Sequence, residues 1–334
     1  MISVLVTGAH TPTGQRLVHS LVADTRVRHV LAVDSTEPPE PPPRLANRLQ
    51  TMKVDLRSSR TVRELLFGPA RDLGVEVVVH LAQRGDARSR GRRVHKANVD
   101  ALRSMLDLAD RHPTIRRVVV RSFAVVYRVS MDLPTLVTED HPLNLAPSAP
   151  QYVRDRVEAD LTACTRMGLI QAEIVVLRCA EAMAAGTGSQ LYDYLKAPVA
   201  FRPMGFDPMV NVATVDDLVA AVEAATHGSG EGVFNVPGFD TLPLTAAAHK
   251  WGTRMLPMPG PLVQPLYNLR HRAVGSSFSY GLNRHRMHFG LVLDGTRARD
   301  VLGYTPRHPV HWPHGRAARA PLPTVRDGAA RRAK

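Results

Sequence analysis

Residues 2–22 constrain the fold more than any other stretch. Ile2 to Val6 is an apolar, largely β-branched run that reads as a strand. Thr7-Gly8-Ala9-His10-Thr11-Pro12-Thr13-Gly14 reads as a turn, and Gly14 to Val22 sets Leu17, Val18, Leu21 and Val22 on one side of a helix. A second strand pattern, Val30 to Asp34, comes next. Two strands joined through a helix run parallel. The alternation continues with strands expected at Thr51 to Val54, Val75 to Leu81, Arg117 to Val120 and Ile174 to Leu177, and an amphipathic helix over Ala97 to Ala109. Val75 to Leu81 is nearly all apolar, as a strand covered on both faces must be. The expected class is α/β, a Rossmann-type doubly wound parallel sheet with a smaller C-terminal substrate-binding region.

The expected division places a nucleotide-binding domain at 1–180, with 205–240 returning to it through a helix from Val215 and a strand at Gly232 to Val236. Residues 181–204 and 241–312 form the substrate-binding region, and 313–334 a basic tail. The run Pro38-Pro39-Glu40-Pro41-Pro42-Pro43 is neither helix nor central strand. With 334 residues, 44% of them hydrophobic and 22% charged, the chain is long and apolar enough for a sizeable core. Cys164 and Cys179 are the only cysteines, which excludes a disulfide scaffold and a cysteine metal cluster. No apolar run reaches membrane-spanning length and the first residues lack a basic leader, so a cytoplasmic location is expected.

Chemistry begins at the first turn. Glycines there let the backbone approach a pyrophosphate, and the following helix offers free N–H groups and the positive end of its dipole. Asp34 ends the second strand about 20 residues on, where a carboxylate accepts from a ribose 2′-hydroxyl and repels a 2′-phosphate. The pattern points to dinucleotide binding with NAD preferred over NADP. The other reading of the same residues is a structural strand–helix turn with no ligand.

These features resemble the extended short-chain dehydrogenase/reductase family, the NAD-dependent epimerase/dehydratase group. Its T-G-A-x-G-x-x-G turn is matched at Thr7 to Gly14, with Thr11 in place of the middle glycine, where a side chain narrows the room for the pyrophosphate. Asp55-Leu56 resembles the pair that meets the adenine, and Val79-His80-Leu81-Ala82 the segment that lines the cofactor. Asn98-Val99 resembles the start of the helix whose Asn braces the active-site strand. Val125-Val126-Tyr127, Leu177-Arg178, Asn211-Val212 through Asp217, Phe234-Asn235-Val236, and Leu293-Asp294 through Leu302-Gly303-Tyr304-Thr305-Pro306 continue the likeness over residues 2 to about 310. The cofactor-binding set it implies is Gly8, His10, Thr11, Pro12, Thr13, Gly14, Asp34, Asp55, Leu56, Leu81, Ala82 and Asn98, holding NAD.

The resemblance also implies a Tyr four residues before a Lys, with a nearby Ser or Thr, exchanging a proton with a substrate hydroxyl while hydride passes to or from the nicotinamide. Tyr152 and Arg156 have that spacing and share a helix face, with Arg standing for Lys. Arginine keeps the charge that favours phenolate but not the compact ammonium. By spacing alone the pair also reads as one face of an amphipathic helix. Phe123 falls where the hydroxyl belongs, and Ser122, one residue earlier, can serve only if the strand end bulges. No acid stands at Phe123-Ala124-Val125, which disfavours sugar dehydration by the usual route. Tyr152, Arg156 and Ser122 are the candidate catalytic residues, with no metal.

On the substrate side, the resemblance assigns arginines among Arg254, Arg270, Arg272, Arg284 and Arg286 to the pyrophosphate of a nucleotide-sugar; read alone they are a solvated basic surface. Met255 to Val263 is apolar enough for a lipid- or polyketide-like substrate, or for contact with a membrane surface. The expected activity is oxidation, reduction or epimerisation at a hydroxyl or keto group. The alternative is a non-catalytic NAD(P)-binding sensor or scaffold. The net charge is +13, and His314 to Lys334 carries six basic residues and one acid. That tail reads as a solubilising segment or a peripheral membrane contact. No aromatics interleave its charges, so nucleic acid is not an expected partner. The partners expected are a small-molecule substrate and, from the resemblance, a second copy in a homodimer.

Overall fold

A computed structural model describes residues 1–36, 45–83 and 86–313. The Pro38–Pro43 run and the basic tail beyond 313 lie outside the described residues. Seven strands form one sheet in the spatial order 49–53, 27–34, 2–7, 77–80, 117–123, 173–179 and 232–236. Every neighbouring pair is parallel. The order reverses between Ile2–Thr7 and Val77–His80, so a crevice opens there at the carboxyl ends of the strands.

The central strands are apolar on both faces because helices cover both. Val4, Val6, Val79, Val119 and Val175 pack on one side with Leu17 and Leu21 of the Pro12–Ala23 helix. Leu5, Val78, Val118, Val120 and Val176 pack on the other with Leu102, Met105 and Leu106 of the Ala101–Ala109 helix. That helix continues a wider turn at Lys96–Asp100, whose Asn98 and Val99 are buried. The strand that begins at Arg117 runs to Phe123, three residues past the expected end, and stays in register with Glu173–Cys179 throughout.

From residue 240 on, sequence periodicity breaks up, yet the chain is ordered. Leu244–Trp251 and Gly260–Val274 are helices, and Arg254–Met258 pairs in parallel with Val199–Pro203. These pieces share a third core around Tyr194, Tyr267, Phe278 and Tyr280. The aromatics sit on short elements of different period, which is why no single pattern reveals them.

Candidate active site

Gly8 has a left-handed backbone (φ +72°), and a Cβ there would lie 2.8 Å from the Leu81–Ala82 peptide. Close packing of the turn on the Val77–His80 strand therefore requires glycine. Thr11 needs no such freedom (φ −67°). Its hydroxyl donates to the Gly8 carbonyl (2.8 Å) and accepts from the Gly14 amide (3.0 Å). The side chain thus caps the helix, and the Gly14 N–H is already used. Pro12 begins that helix and has no N–H to offer. Asp34 Oδ2 accepts the His10 amide at 3.0 Å and Oδ1 accepts the Ser35 amide at 2.7 Å, which ties the second strand to the turn.

A cleft of about 400 Å³ opens beside this turn, lined by Gly8, Thr11, Asp34, Asp55, Leu56 and Ala82 among others. Asp55 is ion-paired with Arg57 at 2.6 Å. The structure thus brings together six of the twelve expected cofactor-binding residues around one cleft. Leu81 and Thr13 are buried behind them, and Asn98 lies buried in its turn.

His80 is wholly buried under the cleft, with Nδ1 3.0 Å from the Thr7 hydroxyl. Burial pushes its pKa down to about 4. Folded protein therefore keeps His80 neutral while the unfolded chain protonates near the ordinary value of 6.5. As pH falls from 6.5 towards 4, the unfolded state takes up a proton that the folded state refuses, and stability drops. Urea unfolding across that window should show the decline, and a His80→Asn variant should show a shallower one; equal slopes would refute the assignment.

At the reacting end, Tyr152 and Arg156 lie on the Gln151–Cys164 helix. The Arg156 guanidinium stacks on the Tyr152 ring, 3.5 Å from its centroid. Burial raises the Tyr152 pKa despite the opposing charge of Arg156. The phenol donates to the Gly188 carbonyl at 3.1 Å. Phe123 fills the position of the expected hydroxyl, with its ring 4.5 Å from the Arg156 guanidinium carbon and 4.8 Å from that of Arg121. The space left among Arg121, Phe123, Tyr152, Cys179, Thr187 and Ser189 is about 20 Å³. That holds roughly one water.

Ser122 requires a correction. The strand does not bulge, and the Ser122 hydroxyl donates to Asp160 Oδ2 at 2.5 Å in a buried network, not to the space beside Tyr152. The arginines expected at a substrate pyrophosphate have different surroundings. Arg286 pairs with Glu181, Arg270 donates to the Val199 carbonyl, and Arg254, Arg272 and Arg284 are exposed. Arg121 was missed; it is buried two residues before Phe123, and the signal was a charge at the end of the run Val118-Val119-Val120. Among the described residues no group of three His, Cys, Asp or Glu side chains could hold a metal, and no helix is long and apolar enough to cross a membrane.

A parallel sheet with its polar crevice at the first strand–helix turn defines a Rossmann-type nucleotide-binding protein. Residues 4–195 match the model of the NAD dependent epimerase/dehydratase family, and the chain belongs to it. The protein Rv0501 of Mycobacterium tuberculosis (strain ATCC 25618 / H37Rv), described only as uncharacterized, is 29% identical over 312 residues, 91% of this chain and 80% of its own length. Mb0513 of Mycobacterium bovis (strain ATCC BAA-935 / AF2122/97) matches with the same values. Among solved structures, MoeE5 in complex with UDP-glucose and NAD shares the fold at a TM-score of 0.66 and 21% identity, covering 92% of this chain and 94% of that one. UDP-glucuronic acid 4-epimerase from Bacillus cereus in complex with NAD does so at 0.63 and 18%, with the same coverage.

Proposed function

We propose that this chain is a non-catalytic NAD-binding member of its family, a sensor or scaffold that holds the dinucleotide chiefly by its adenosine half. NAD suits the open cleft, which Asp34 and Asp55 line together with Gly8 and Thr11 of the turn. When bound, NAD would supply a hydride acceptor, but the reacting end does not fit a nicotinamide in the conformation described. The observation that carries the reading is the Tyr152–Gly188 hydrogen bond inside a space of about 20 Å³. A buried, protonated phenol already donating to a carbonyl is not a base, and Phe123 supplies no second hydroxyl to orient a substrate.

Thermal shift with NAD, NADH and NADPH should show stabilisation by the first two and less by NADPH, which Asp34 repels. Incubation of the NAD-loaded protein with nucleotide-sugars and hydroxy-lipids should give no steady NADH formation and no epimer. Sustained turnover that disappears in Tyr152→Phe would overturn the proposal.

One observation favours a second reading. The stack at 3.5 Å keeps Tyr152 and Arg156 together. In that reading the chain oxidises, reduces or epimerises a nucleotide-sugar or hydrophobic alcohol, with Tyr152 as acid/base, and the same turnover assay separates the two.

A further inference from the structure

From Thr241 to Leu293 the chain has 53 residues without an acidic side chain, and six cations: Lys250, Arg254, Arg270, Arg272, Arg284 and Arg286. The Gly260–Val274 helix lies in the middle of this stretch and buries only Val263 and Tyr267. Leu262, Leu266, Leu269 and Ala273 follow one another at four, three and four residues, so they form one stripe along the helix. Leu262 is 49% and Leu269 65% exposed. Met204, 57% exposed, is tied by its amide to the Met258 carbonyl just before the helix begins. The rim is cationic. Arg272 lies on the helix, and Arg284 follows Tyr280, whose ring stacks on Tyr267 at 6.0 Å. Both arginines are exposed and, among the described residues, in no ion pair.

We infer that this face docks on an anionic lipid bilayer, with the helix lying in the interface plane, leucines inward and arginines at the headgroups. Charge decides the occupant. A second copy placed face to face would set the same cationic stretch, which has no acid of its own, against itself. The chain's own tail, six basic residues to one acid, would be repelled in the same way. Nucleic acid would satisfy the arginines but would leave aliphatic side chains against phosphate and water. Only a negatively charged surface with an apolar interior satisfies both components at once.

The test is flotation of the full-length protein with vesicles of phosphatidylcholine alone and with 40% phosphatidylglycerol (about 40 mol %, a strongly anionic mixture). Binding is expected on the anionic vesicles, weakening as salt is raised, with little on the neutral ones. Leu262→Glu with Leu269→Glu, and separately Arg272→Glu with Arg284→Glu, should each weaken it about tenfold or more, a loss of about 1.4 kcal/mol. These side chains are exposed, so unfolding midpoints and the NAD-induced thermal shift should match the unaltered protein. Equal binding by the leucine pair and the parent, or binding lost only when the tail arginines are neutralised, overturns the inference. So does sedimentation showing that the leucine pair splits a dimer without changing lipid binding.

Discussion

Arg178→Ala should lower the unfolding free energy by about 3–5 kcal/mol, the cost of leaving a buried charge without its partner. Asp160 is fully buried and Arg178 nearly so, with side-chain exposures of 0% and 5%. Arg178 donates from Nε at 3.0 Å and Nη2 at 2.6 Å to the two carboxylate oxygens, and Ser122 adds a third donor. Its Nη1 reaches the Tyr127 hydroxyl at 3.1 Å and the Glu139 carbonyl at 3.0 Å, and Tyr127 donates onward to Asn235 at 2.6 Å. Removing the guanidinium strips two donors from Asp160 and leaves its carboxylate buried without a countercharge. Replacing both partners by apolar residues, Arg178→Met with Asp160→Leu, should recover most of the loss. Urea denaturation of the three variants checks this. If Arg178→Ala costs less than about 1 kcal/mol, as truncating the exposed Arg60–Glu64 pair should, the pair is not the tie it looks to be.

Gly14→Ala should carry the second large effect, on stability and nucleotide binding together. A Cβ at Gly14 would stand 2.2 Å from the Gly8 carbonyl oxygen and 2.9 Å from the Ala9 Cα, so the turn must move. The Gly8 carbonyl accepts from the Thr11 amide at 3.0 Å as well as from the Thr11 hydroxyl, and its displacement undoes the cap on the helix. Overpacking of this kind costs about 1–3 kcal/mol. The same shift moves the backbone that lines the cleft, so the NAD-induced thermal shift should vanish. Gly260→Ala is the control: nothing lies within 4 Å of a Cβ there and its φ is not positive. Unchanged NAD binding by Gly14→Ala would mean that the dinucleotide does not rest on this turn.

These two positions also separate what could be read along the chain from what could not. The glycine turn was legible because it is local: a β-branched run, eight turn residues and a helical period are contiguous, and each constrains the next. The fragments Leu177-Arg178, Val126-Tyr127 and Phe234-Asn235 were each visible as family-like pieces but unconnected. Folding joins Arg178, Tyr127 and Asn235 in one buried hydrogen-bond network with Ser122 and Asp160, which explains why Ser122 is absent from the reacting end.

The doubly wound sheet and the carboxylates at its strand ends were decided by the sequence, because strand and helix periods are properties of neighbouring residues and a parallel pair admits few connections. The state of Tyr152 belongs to tertiary structure alone. Its partner Gly188 lies 36 residues away, and the ring's burial, the stacked arginine and the closed space follow from how a loop settles on a helix. Side-chain spacing puts Tyr152 and Arg156 on one face, but only packing determines whether the cation meets the oxygen or the ring.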